Sequence, residues 1–291
     1  MTQQNDAATH SLSLAVLSDI HLSPPGTPDY TWNNVIRRSA SAELLTAALR
    51  AVTDADHDRL LLLGDIADDG SEELIATVLD EVRGVGVAAW AVPGNHDVCA
   101  SPDALDRAAA ARDGDIPLPP APRYPCPGVV LAGSGLVSRD GGGTCRATHL
   151  SDTAALDARL LIWASHYPLV SAQGRMQAAD LRYPGDLVNL IEARAAAERF
   201  AGPILVLHGH LHAAVDRRAG RMLQIGFPAL VEWPHAWASL SVQIAPDTVT
   251  VQVTLNRVPG DWSAGTASTM LSEPARTWTF SGGQWHAGRP G

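Results

Sequence analysis

The sequence predicts an α/β fold, in which buried strands alternate with helices and a second sheet completes the core. Three observations support this prediction: apolar runs that end in polar clusters, helical segments between the first of these runs, and alternating runs late in the chain. The chain has 291 residues, of which 46% are hydrophobic and 18% charged. That composition is ample for the core of one large domain or two small ones.

Five apolar runs are strand-like, and each ends in a small polar cluster. Near-continuous apolar strands are typical of a sheet that is buried on both faces. The runs are LSLAVLSDIH ending at His21, RLLLLGDIAD ending at Asp68, VAAWAVPGNHD ending at Asp97, RLLIWASHYP ending at Pro168 and PILVLHGHLH ending at His212.

Helical patterns separate the first three runs. SAELLTAALRAV covers about residues 41–52, and SEELIATVLDEVRG covers residues 71–84. The second opens with Ser71 and closes at Gly84, as a capped helix does. Strand, helix and strand at this spacing indicate right-handed parallel crossovers. A further helix is predicted in PGDLVNLIEARAAAERFAG, ahead of the fifth run.

The remaining segments are predicted to be loops and antiparallel strands. Residues 113–128 contain DIPLPPAPRYPCPG, which is too proline-rich for regular structure, and SRDGGGT at 138–144 is typical of a turn. RMLQIG, HAWASLSVQIA and TVTVQVTLNRV alternate and predict antiparallel strands that complete a second sheet. We therefore expect one domain over residues 1–258. Residues 259–291 form a C-terminal extension of unclear structure, although its three tryptophans argue against simple disorder.

Charge and composition restrict the class of partner and the compartment. The net charge of -10 argues against a broad face for duplex nucleic acid, because phosphate backbones are held by clustered Lys and Arg. No stretch approaches the roughly 20 apolar residues of a membrane span, and the first apolar run is too short for a signal-peptide core. Three cysteines cannot all pair and lack the close spacing of a thiolate zinc site. We expect a soluble, cytoplasmic protein with reduced thiols.

Polar side chains follow the five strands where functional groups gather in open α/β sheets, at the carboxyl ends. They are Asp19, His21, Asp65, Asn95, His96, His166, His210 and His212. Oxygen and imidazole ligands without a thiolate suit Mn, Fe or Zn. One ion cannot use them all, but two ions about 3.5–4 Å apart can share a bridging carboxylate and clamp a phosphoryl group.

These motifs resemble those of the calcineurin-like metallophosphoesterase family. They are D-x-H at 19–21, GDIAD at 64–68, GNHD at 94–97, SHYP at 165–168 and HGHLH at 208–212, and they stand in the family's order. The match spans residues 12 to about 257, and the nearest likeness is to bacterial class III cyclic-nucleotide and glycerophosphodiester phosphodiesterases. The resemblance implies a four-layer α/β/β/α sandwich of two mixed sheets, with a dinuclear metal site at the carboxyl ends of the strands.

The resemblance also implies a role for each motif residue. One metal ion would be held by Asp19, His21, Asp65 and His212, and the other by Asp65, Asn95, His166 and His210, with Asp65 as the bridge. A metal-bound hydroxide would attack phosphorus. His96 would serve the leaving oxygen as a proton donor or as a cation, and Asp97 would orient His96. Many relatives have Glu where this chain has Asp97, so the geometry there departs from the family's pattern.

Other polar residues have less specific interpretations. Trp32, Asn33, Arg37 and Arg38 lie in the segment after His21 and are candidates to stack on a substrate or bind its phosphate oxygens. They are equally consistent with an exposed loop that leads into a charged helix start. A second loop at the rim of the site is expected from VSAQGRMQAADLRYPGD. Two motif residues are not assigned to metal. His208 is interpreted either as a strand-end residue or as a residue behind a ligand that bonds its outer nitrogen. Asp68 is interpreted in the same way, with a turn or a helix cap as the alternative.

The predicted function is hydrolysis of a small phosphodiester by a dinuclear metal centre. A phosphomonoesterase or a nucleotide pyrophosphohydrolase would use the same centre, and a catalytically silent scaffold is a remote alternative. The expected partner is a small phosphate ester. A homodimer through the alternating strands after residue 212 is a further possibility.

Overall fold

Two mixed sheets lie face to face at the centre of the molecule, with helices on their outer faces. The computed structural model describes residues 9–112, 122–137, 143–145 and 153–288. The strands are β1 His10–Leu17, β2 Tyr30–Thr31, β3 Val35–Ile36, β4 Arg59–Leu62, β5 Ala89–Ala91, β6 Arg123–Cys126, β7 Val129–Gly133, β8 Leu160–Ala164, β9 Ile204–His208, β10 Val215–Ala219, β11 Met222–Gly226, β12 Ala236–Ala245, β13 Thr248–Arg257, β14 Ala275–Ser281 and β15 Gln284–Ala287. The helices are α1 Ser41–Thr53, α2 Glu72–Gly84, α3 Ala104–Ala110, α4 Gln173–Ala178 and α5 Leu190–Glu198.

The first sheet has seven strands in the order β15-β14-β13-β12-β1-β4-β5. Strand β1 lies inside it, with β4 parallel on one side and β12 antiparallel on the other, so that Leu14 is opposite both Arg59 and Leu240. The second sheet has six strands in the order β10-β11-β9-β8-β7-β6, and its central pairs β7·β8, β8·β9 and β9·β11 are parallel. Both sheets are therefore mixed, as predicted.

Alternate residues of the central strands face different layers. In β1, Leu14 and Val16 pack between the two sheets, whereas Ala15 and Leu17 pack against α1, α2 and α3. In β8, Leu161 and Trp163 instead pack on the outer side with α5. Because both faces of these strands are buried, their sequences are apolar throughout. This alternation confirms the four-layer α/β/β/α sandwich.

The predicted helices are present with the expected signals. Helix α2 begins after Ser71, whose hydroxyl oxygen accepts from the Leu74 N–H at 3.3 Å, and it ends at Gly84. Its inner face buries Ile75, Val78 and Leu79 against the first sheet. The third predicted helix forms α5 over a shorter span than its sequence pattern. Among the described residues, no helix has the length and apolar character needed to cross a bilayer.

Two predictions about the middle and end of the chain were wrong in detail. The proline-rich segment was predicted as a loop, but Arg123–Cys126 forms β6, while residues 113–121 lie outside the described part. Strand β6 lies at an edge of its sheet, where a proline costs no internal ladder bond. Of the predicted turn at 138–144, residues 138–142 also lie outside the described part.

The alternating runs after residue 212 were predicted to complete a second sheet, and this is true only of the first run. That run forms β11. Strands β12 and β13 instead extend the first sheet, because β12 pairs antiparallel with β1, and β13 pairs antiparallel with β12. Strands β14 and β15, in the segment without a clear sequence period, continue the same sheet. The domain boundary at residue 258 stays a prediction.

Candidate metal centre

The motif residues meet where strands of both sheets end. Strands β1, β4 and β5 of the first sheet and strands β8 and β9 of the second have their carboxyl ends at this site. The predicted metal ligands that follow them are Asp19, His21, Asp65, Asn95, His166, His210 and His212. All except the partly exposed Asn95 are buried. The two sheets therefore supply one cluster together.

Five of these residues have left-handed backbone conformations. The φ angles of Asp19, His21, Asp65, His210 and His212 lie between 44° and 65°. For an L-residue this conformation costs roughly 1–2 kcal/mol, and such strain is concentrated at functional sites. The chain thus turns sharply after each strand. Two residues that are separated by one other, such as Asp19 and His21, stay together at the carboxyl edge of the sheet.

Three motif glycines allow the strand ends to approach closely. A Cβ on Gly94 would meet both the backbone nitrogen and the carboxylate of Asp65. A Cβ on Gly209 would meet the carboxylate of Asp19, and one on Gly64 would come within 2.6 Å of Nδ1 of His166. The motifs GD, GN and HGH therefore need glycine, because any larger residue would collide with a proposed ligand side chain.

One group of donor atoms surrounds Asp19. Its Oδ1 atom lies 3.4 Å from Nε2 of His212. Asp19, His21 and His212 each offer one ligand atom within 4.8 Å of the others. Nε2 of His21 also lies 3.6 Å from Oδ2 of Asp65, so this group extends to the second carboxylate.

A second group of donor atoms runs from Asp65 to His210. Oδ2 of Asp65 lies 3.3 Å from Nε2 of His166, which lies 3.2 Å from Oδ1 of Asn95. The same amide oxygen lies 3.1 Å from Nδ1 of His210. Asp65 thus contacts one histidine of each group.

The outer nitrogens of three histidines are bonded to the protein. Nδ1 of His212 lies 2.8 Å from Glu232, Nδ1 of His166 lies 2.7 Å from the Leu63 carbonyl oxygen, and Nδ1 of His21 lies 3.1 Å from Asp68. When Nδ1 carries the hydrogen, the lone pair is on Nε2, which faces the cluster. This is the arrangement by which proteins orient metal-ligating histidines.

The donor atoms fit cations in two further respects. Atoms that each lie about 2.0–2.2 Å from one ion are separated by roughly 3–3.6 Å, and the contacts above fall in this range. Nε2 of His21 and Nε2 of His210 are buried without a hydrogen-bond partner among the described residues. A buried nitrogen without a partner is costly unless a ligand joins it, and Nε2 of His21 lies 3.6 Å from the Asp65 carboxylate.

The carboxylates of the cluster are ionised at neutral pH. Burial alone would raise the pKa of Asp19, but the charge and hydrogen bond of His212 outweigh it and lower that pKa to about 2. Burial is likewise outweighed by His166 at Asp65, whose pKa lies well below the ordinary value of 3.8. Both side chains are therefore anionic, as cation binding requires.

His96 lies beside the cluster and is partly open to solvent. Its backbone N–H donates to Oδ1 of Asp65 at 2.8 Å, and its Nδ1 atom bonds the Asp68 carbonyl oxygen. The side chain is 32% exposed. Burial acts to lower the pKa of His96, but the Asp65 carboxylate and the Asp68 bond outweigh it and raise the pKa above 6.5. The ring therefore holds a proton more readily than an ordinary imidazole and is partly accessible to solvent.

Asp97 contacts the backbone of the neighbouring loops. Its carboxylate accepts from the N–H groups of Ala67 at 2.9 Å and Gly94 at 2.8 Å. The predicted role of Asp97 was to orient His96, but it is the Asp68 carbonyl oxygen that bonds the His96 ring. Asp97 thus joins the GDIAD and GNHD loops to each other.

The predicted substrate residues after His21 have internal partners. Arg38 pairs with Asp68 at 2.9 Å, and its guanidinium lies 4.8 Å from the centre of the Tyr30 ring. Arg37 bonds Ser263 and lies 3.6 Å from Asp29. These contacts hold the loop in place.

Trp32 and Asn33 belong to a different group of contacts, with the second predicted rim loop. The guanidinium of Arg182 lies 5.3 Å from the centre of the Trp32 ring. The Arg182 backbone N–H donates to Oδ1 of Asn33 at 2.8 Å. The two loops therefore touch each other, and their role in binding substrate stays a prediction.

Three residues near the ligands had weak or no sequence signals. Asp68 bonds the outer nitrogen of His21, which agrees with its interpretation as a residue behind a ligand and not with the alternative of a turn or cap. His208 is fully buried at the end of its strand and bonds the neighbouring Gly209 carbonyl oxygen rather than a ligand. Glu232 was missed, although an isolated carboxylate in the apolar run FPALVEWPHAW signals burial with a partner.

Comparisons with known proteins agree with this fold and cluster, and the family match assigns the chain to the class of phosphoric ester hydrolases. The model of the family described as calcineurin-like phosphoesterase matches residues 12–214. The chain therefore belongs to the calcineurin-like phosphoesterase family, which confirms the resemblance found in the motifs.

Individual relatives extend the comparison. A protein of Synechococcus sp. named as a probable cyclic nucleotide phosphodiesterase is 27% identical over 254 residues, which cover 82% of this chain and 89% of that protein. A dimetal phosphatase from Danio rerio has a similar fold, with a TM-score of 0.58 and 15% identity over 89% of this chain and 98% of that one. A purple acid phosphatase from yellow lupin seeds is similar with a TM-score of 0.52 and 12% identity, over 90% of this chain and 54% of that one. The metal identity, the cytoplasmic location, the homodimer and the absence of duplex nucleic-acid binding stay predictions.

Proposed function

We propose that this protein hydrolyses a small phosphodiester with the help of two metal ions. The observation that carries the proposal is the position of Asp65, whose Oδ2 atom lies 3.6 Å from Nε2 of His21 and 3.3 Å from Nε2 of His166. A carboxylate shared by two sets of imidazole donors is suited to bridge two ions. Asp19, His21, Asp65 and His212 would hold one ion, and Asp65, Asn95, His166 and His210 the other.

Two such ions, when bound, neutralise phosphoryl oxygens and supply an activated water as nucleophile. The protein supplies the remaining steps. His96 donates its proton to the departing oxygen of the ester, for which its raised pKa and partial exposure are suited. Asp68 holds the His96 ring through its carbonyl oxygen, and Asp97 fixes the two loops that carry Asp65 and His96.

The preference for a diester is supported by the likeness to the Synechococcus protein, whose name states a phosphodiesterase. The charge of the chain is also consistent with a small ester, because a net charge of -10 disfavours long polyanions. A monoester or a nucleoside diphosphate conjugate would meet the same donor atoms. These substrates are therefore competing outcomes of the test.

The test combines metal reconstitution with a substrate panel. Chelator-treated protein is loaded with Mn, Fe or Zn, and its metal content is measured after dialysis. Hydrolysis is then followed for a nitrophenyl phosphodiester, cyclic nucleotides, glycerophosphodiesters, phosphomonoesters and nucleoside diphosphate conjugates. We expect about two ions per chain and the highest kcat/KM on a diester.

Matched variants show whether turnover comes from this site. Asp19→Asn removes a proposed ligand, whereas Glu198→Gln removes an exposed carboxylate that pairs with Arg194 within α5. The first variant should lose activity, and the second should keep it. Two tightly bound ions without turnover on any ester would overturn the proposal in favour of a silent scaffold, and a monoester preference would correct the substrate class.

A further inference from the structure

Glu232 is a fully buried carboxylate that bonds a proposed metal ligand. It lies between β11 and β12, and its Oε2 atom is 2.8 Å from Nδ1 of His212. Its other oxygen accepts from the backbone N–H of Asn34. Both oxygens are thus used, one toward the cluster and one toward the loop after His21. A buried carboxylate without such partners would cost several kcal/mol, so these contacts fix its position.

The contact with Glu232 determines which His212 nitrogen faces the cluster. A carboxylate oxygen only accepts, so Nδ1 of His212 must be the donor. When a cation replaces the remaining proton, the lone pair is therefore on Nε2, the atom that lies 3.4 Å from Asp19. The contact acts before any ion arrives, because it holds the ring in the orientation that binding needs.

The loop after His21 is in turn bonded to the C-terminal part of the chain. The Asn34 side chain donates to the Ala267 carbonyl oxygen at 3.0 Å and accepts from the Ala267 N–H at 2.9 Å. We call residues 262–271 the C-terminal strap, because they run between the Asn34 loop and the segment that follows HGHLH. Thr269 makes two further bonds. Its hydroxyl donates to the Trp233 carbonyl oxygen, and its own carbonyl oxygen accepts from the Ala214 N–H.

We infer that Glu232 is the positioning residue of His212 and that Asn34 joins it to the C-terminal strap, so that the strap helps to set the affinity for one metal ion. This inference rests on the proposed function for the identity of the ligand. The strap and Glu232 both lie outside residues 12–214, the part that matches the family model.

Glu232→Gln is the sharpest test, because it changes few atoms. One of the two oxygen positions becomes an NH2 group. If that group faces His212, the ring must place its hydrogen on Nε2, which then cannot bind an ion. If it faces the Asn34 N–H, two donors meet in a buried space. Either arrangement should lower the affinity for the ion that His212 would hold.

The readout is the affinity of each ion in chelator-treated protein, measured by Zn²⁺ titration against a competing chelator. Loss of a partner that orients a metal ligand typically weakens binding about 10- to 100-fold. We expect this loss for one ion of the two, with the other changed less than about twofold. Glu232→Asp keeps two acceptor oxygens and should recover part of the affinity.

Asp216→Asn is the matched control for removing a buried carboxylate. Asp216 is 8% exposed and bonds Arg276, Ser272 and Arg175, none of which belongs to the metal cluster. Its partner Arg175 also bonds the Leu271 carbonyl oxygen at the end of the strap, but the bonds of Glu232 and Asn34 stay in place. Loss of the Asp216 carboxylate should therefore lower the thermal stability of the metal-free protein and change the metal affinities much less than Glu232→Gln does. An equal loss of affinity in Asp216→Asn and Glu232→Gln would reduce the role of Glu232 to general stability and overturn the inference.

Asn34→Ala tests the strap, and it also serves if Glu232→Gln does not fold. The backbone N–H of residue 34 still bonds Glu232, so only the two bonds to Ala267 are lost. We expect about a 2- to 30-fold weaker affinity for the same ion, the range of coupling carried by intermediate residues. Because coupling is reciprocal, Zn²⁺ should slow amide exchange in the strap of the wild type and slow it less in the variant.

The outcomes separate this inference from the proposed function. Wild-type protein that binds two ions but hydrolyses no ester would refute the proposed function and leave the affinity test valid. Active protein whose two affinities are unchanged by Glu232→Gln, or by Asn34→Ala if the first variant does not fold, would refute the inference alone. Wild-type protein that binds no ion would refute both.

Discussion

Oδ2 of Asp65 lies 3.3 Å from Nε2 of His166, although Asp65 follows a strand of the first sheet and His166 follows a strand of the second. The contact joins residues 101 positions apart in the sequence. It places the shared carboxylate at the junction of the two sheets, within reach of donors from both. The chemistry of the site therefore depends on how the sheets are packed.

Asp65→Ala should remove both metal ions, whereas His212→Ala should weaken mainly one. Oδ2 of Asp65 lies within 3.6 Å of Nε2 of a histidine in each group, whereas Asp19 lies 3.4 Å from His212 and 4.0 Å from His166. Without the charge of Asp65, two cations would face each other with less screening. Metal content after dialysis is the measurement. Stoichiometric retention of both ions by Asp65→Ala would show that this carboxylate does not bridge.

His96→Ala should keep both ions and lose turnover by an amount that depends on the leaving group. An alkoxide needs a proton as it departs, and positioned acid catalysis contributes about 10²–10⁴-fold. A nitrophenolate departs readily without one, so its rate should fall less. The measurement is kcat/KM on an alkyl diester and on a nitrophenyl diester, in wild type and variant.

Two other results would change the role of His96. Equal losses on both diesters would indicate stabilisation of the phosphoryl oxygens instead of proton donation. Loss of an ion would make His96 a ligand, a role that its inclusion in a donor group with His21 and Asp65 makes worth checking.

Gly94→Ala should weaken metal binding by at least about tenfold, since the new methyl group would meet the Asp65 carboxylate and displace a ligand. Gly84→Ala is the control, because Gly84 is the last residue of α2 and a Cβ there meets open space. That variant should bind metal normally and gain up to about 1 kcal/mol in free energy of unfolding. Equal affinities in the two variants would contradict the packing argument.

His208 should make the free energy of unfolding depend on pH between about 6.5 and 4. Burial lowers the pKa of His208 to about 4, from the ordinary value of 6.5 expected in the unfolded chain. In this range the unfolded chain binds the proton and the folded chain does not, so its contribution is complete above pH 6.5 and is lost as the pH falls. At about 1.4 kcal/mol per pKa unit, the loss reaches about 3 kcal/mol near pH 4.

The measurement is denaturant unfolding of metal-free wild type and His208→Gln across this range. The difference between the two curves should shrink as the pH falls, since the variant has no ring to protonate. Titration of the His208 ring by NMR gives the folded-state pKa directly. A ring that titrates near 6.5 would contradict the prediction.

The sequence predicted the cluster well because strand ends and ligands are local features. Each motif stands directly after an apolar run, and parallel strands bring their carboxyl ends to one edge. That rule places Asp19 beside Asp65 and His166 beside His210, but the contact between Asp65 and His166 depends on the packing of the two sheets. The glycines at 64, 94 and 209 were likewise visible in the motifs, although the side chains that approach them were not.

The remaining features depend on contacts between distant segments. Glu232 bonds His212 from 20 residues away, and nothing in the local pattern identifies its partner. Strand β7 is short, buried and flanked by segments with turn residues, so its run VVLAG carried no period of its own. Strands β14 and β15 pair only with the sheet that they extend, and a two-stranded hairpin has little stability by itself.

The sheet order also sets when the site can form as the chain is synthesised. Strands β1, β4 and β5 are parallel neighbours near the N-terminus and leave the ribosome first, with Asp19, His21, Asp65 and Asn95 at their ends. The histidines at 166, 210 and 212 emerge later, and β1 gains its second neighbour only with β12. A nascent chain thus exposes an incomplete, acidic half-site and the apolar edge of β1 for most of its synthesis. The apolar edge of β1 is therefore covered only after β12 has been made, and folding intermediates with exposed strand edges are prone to aggregate.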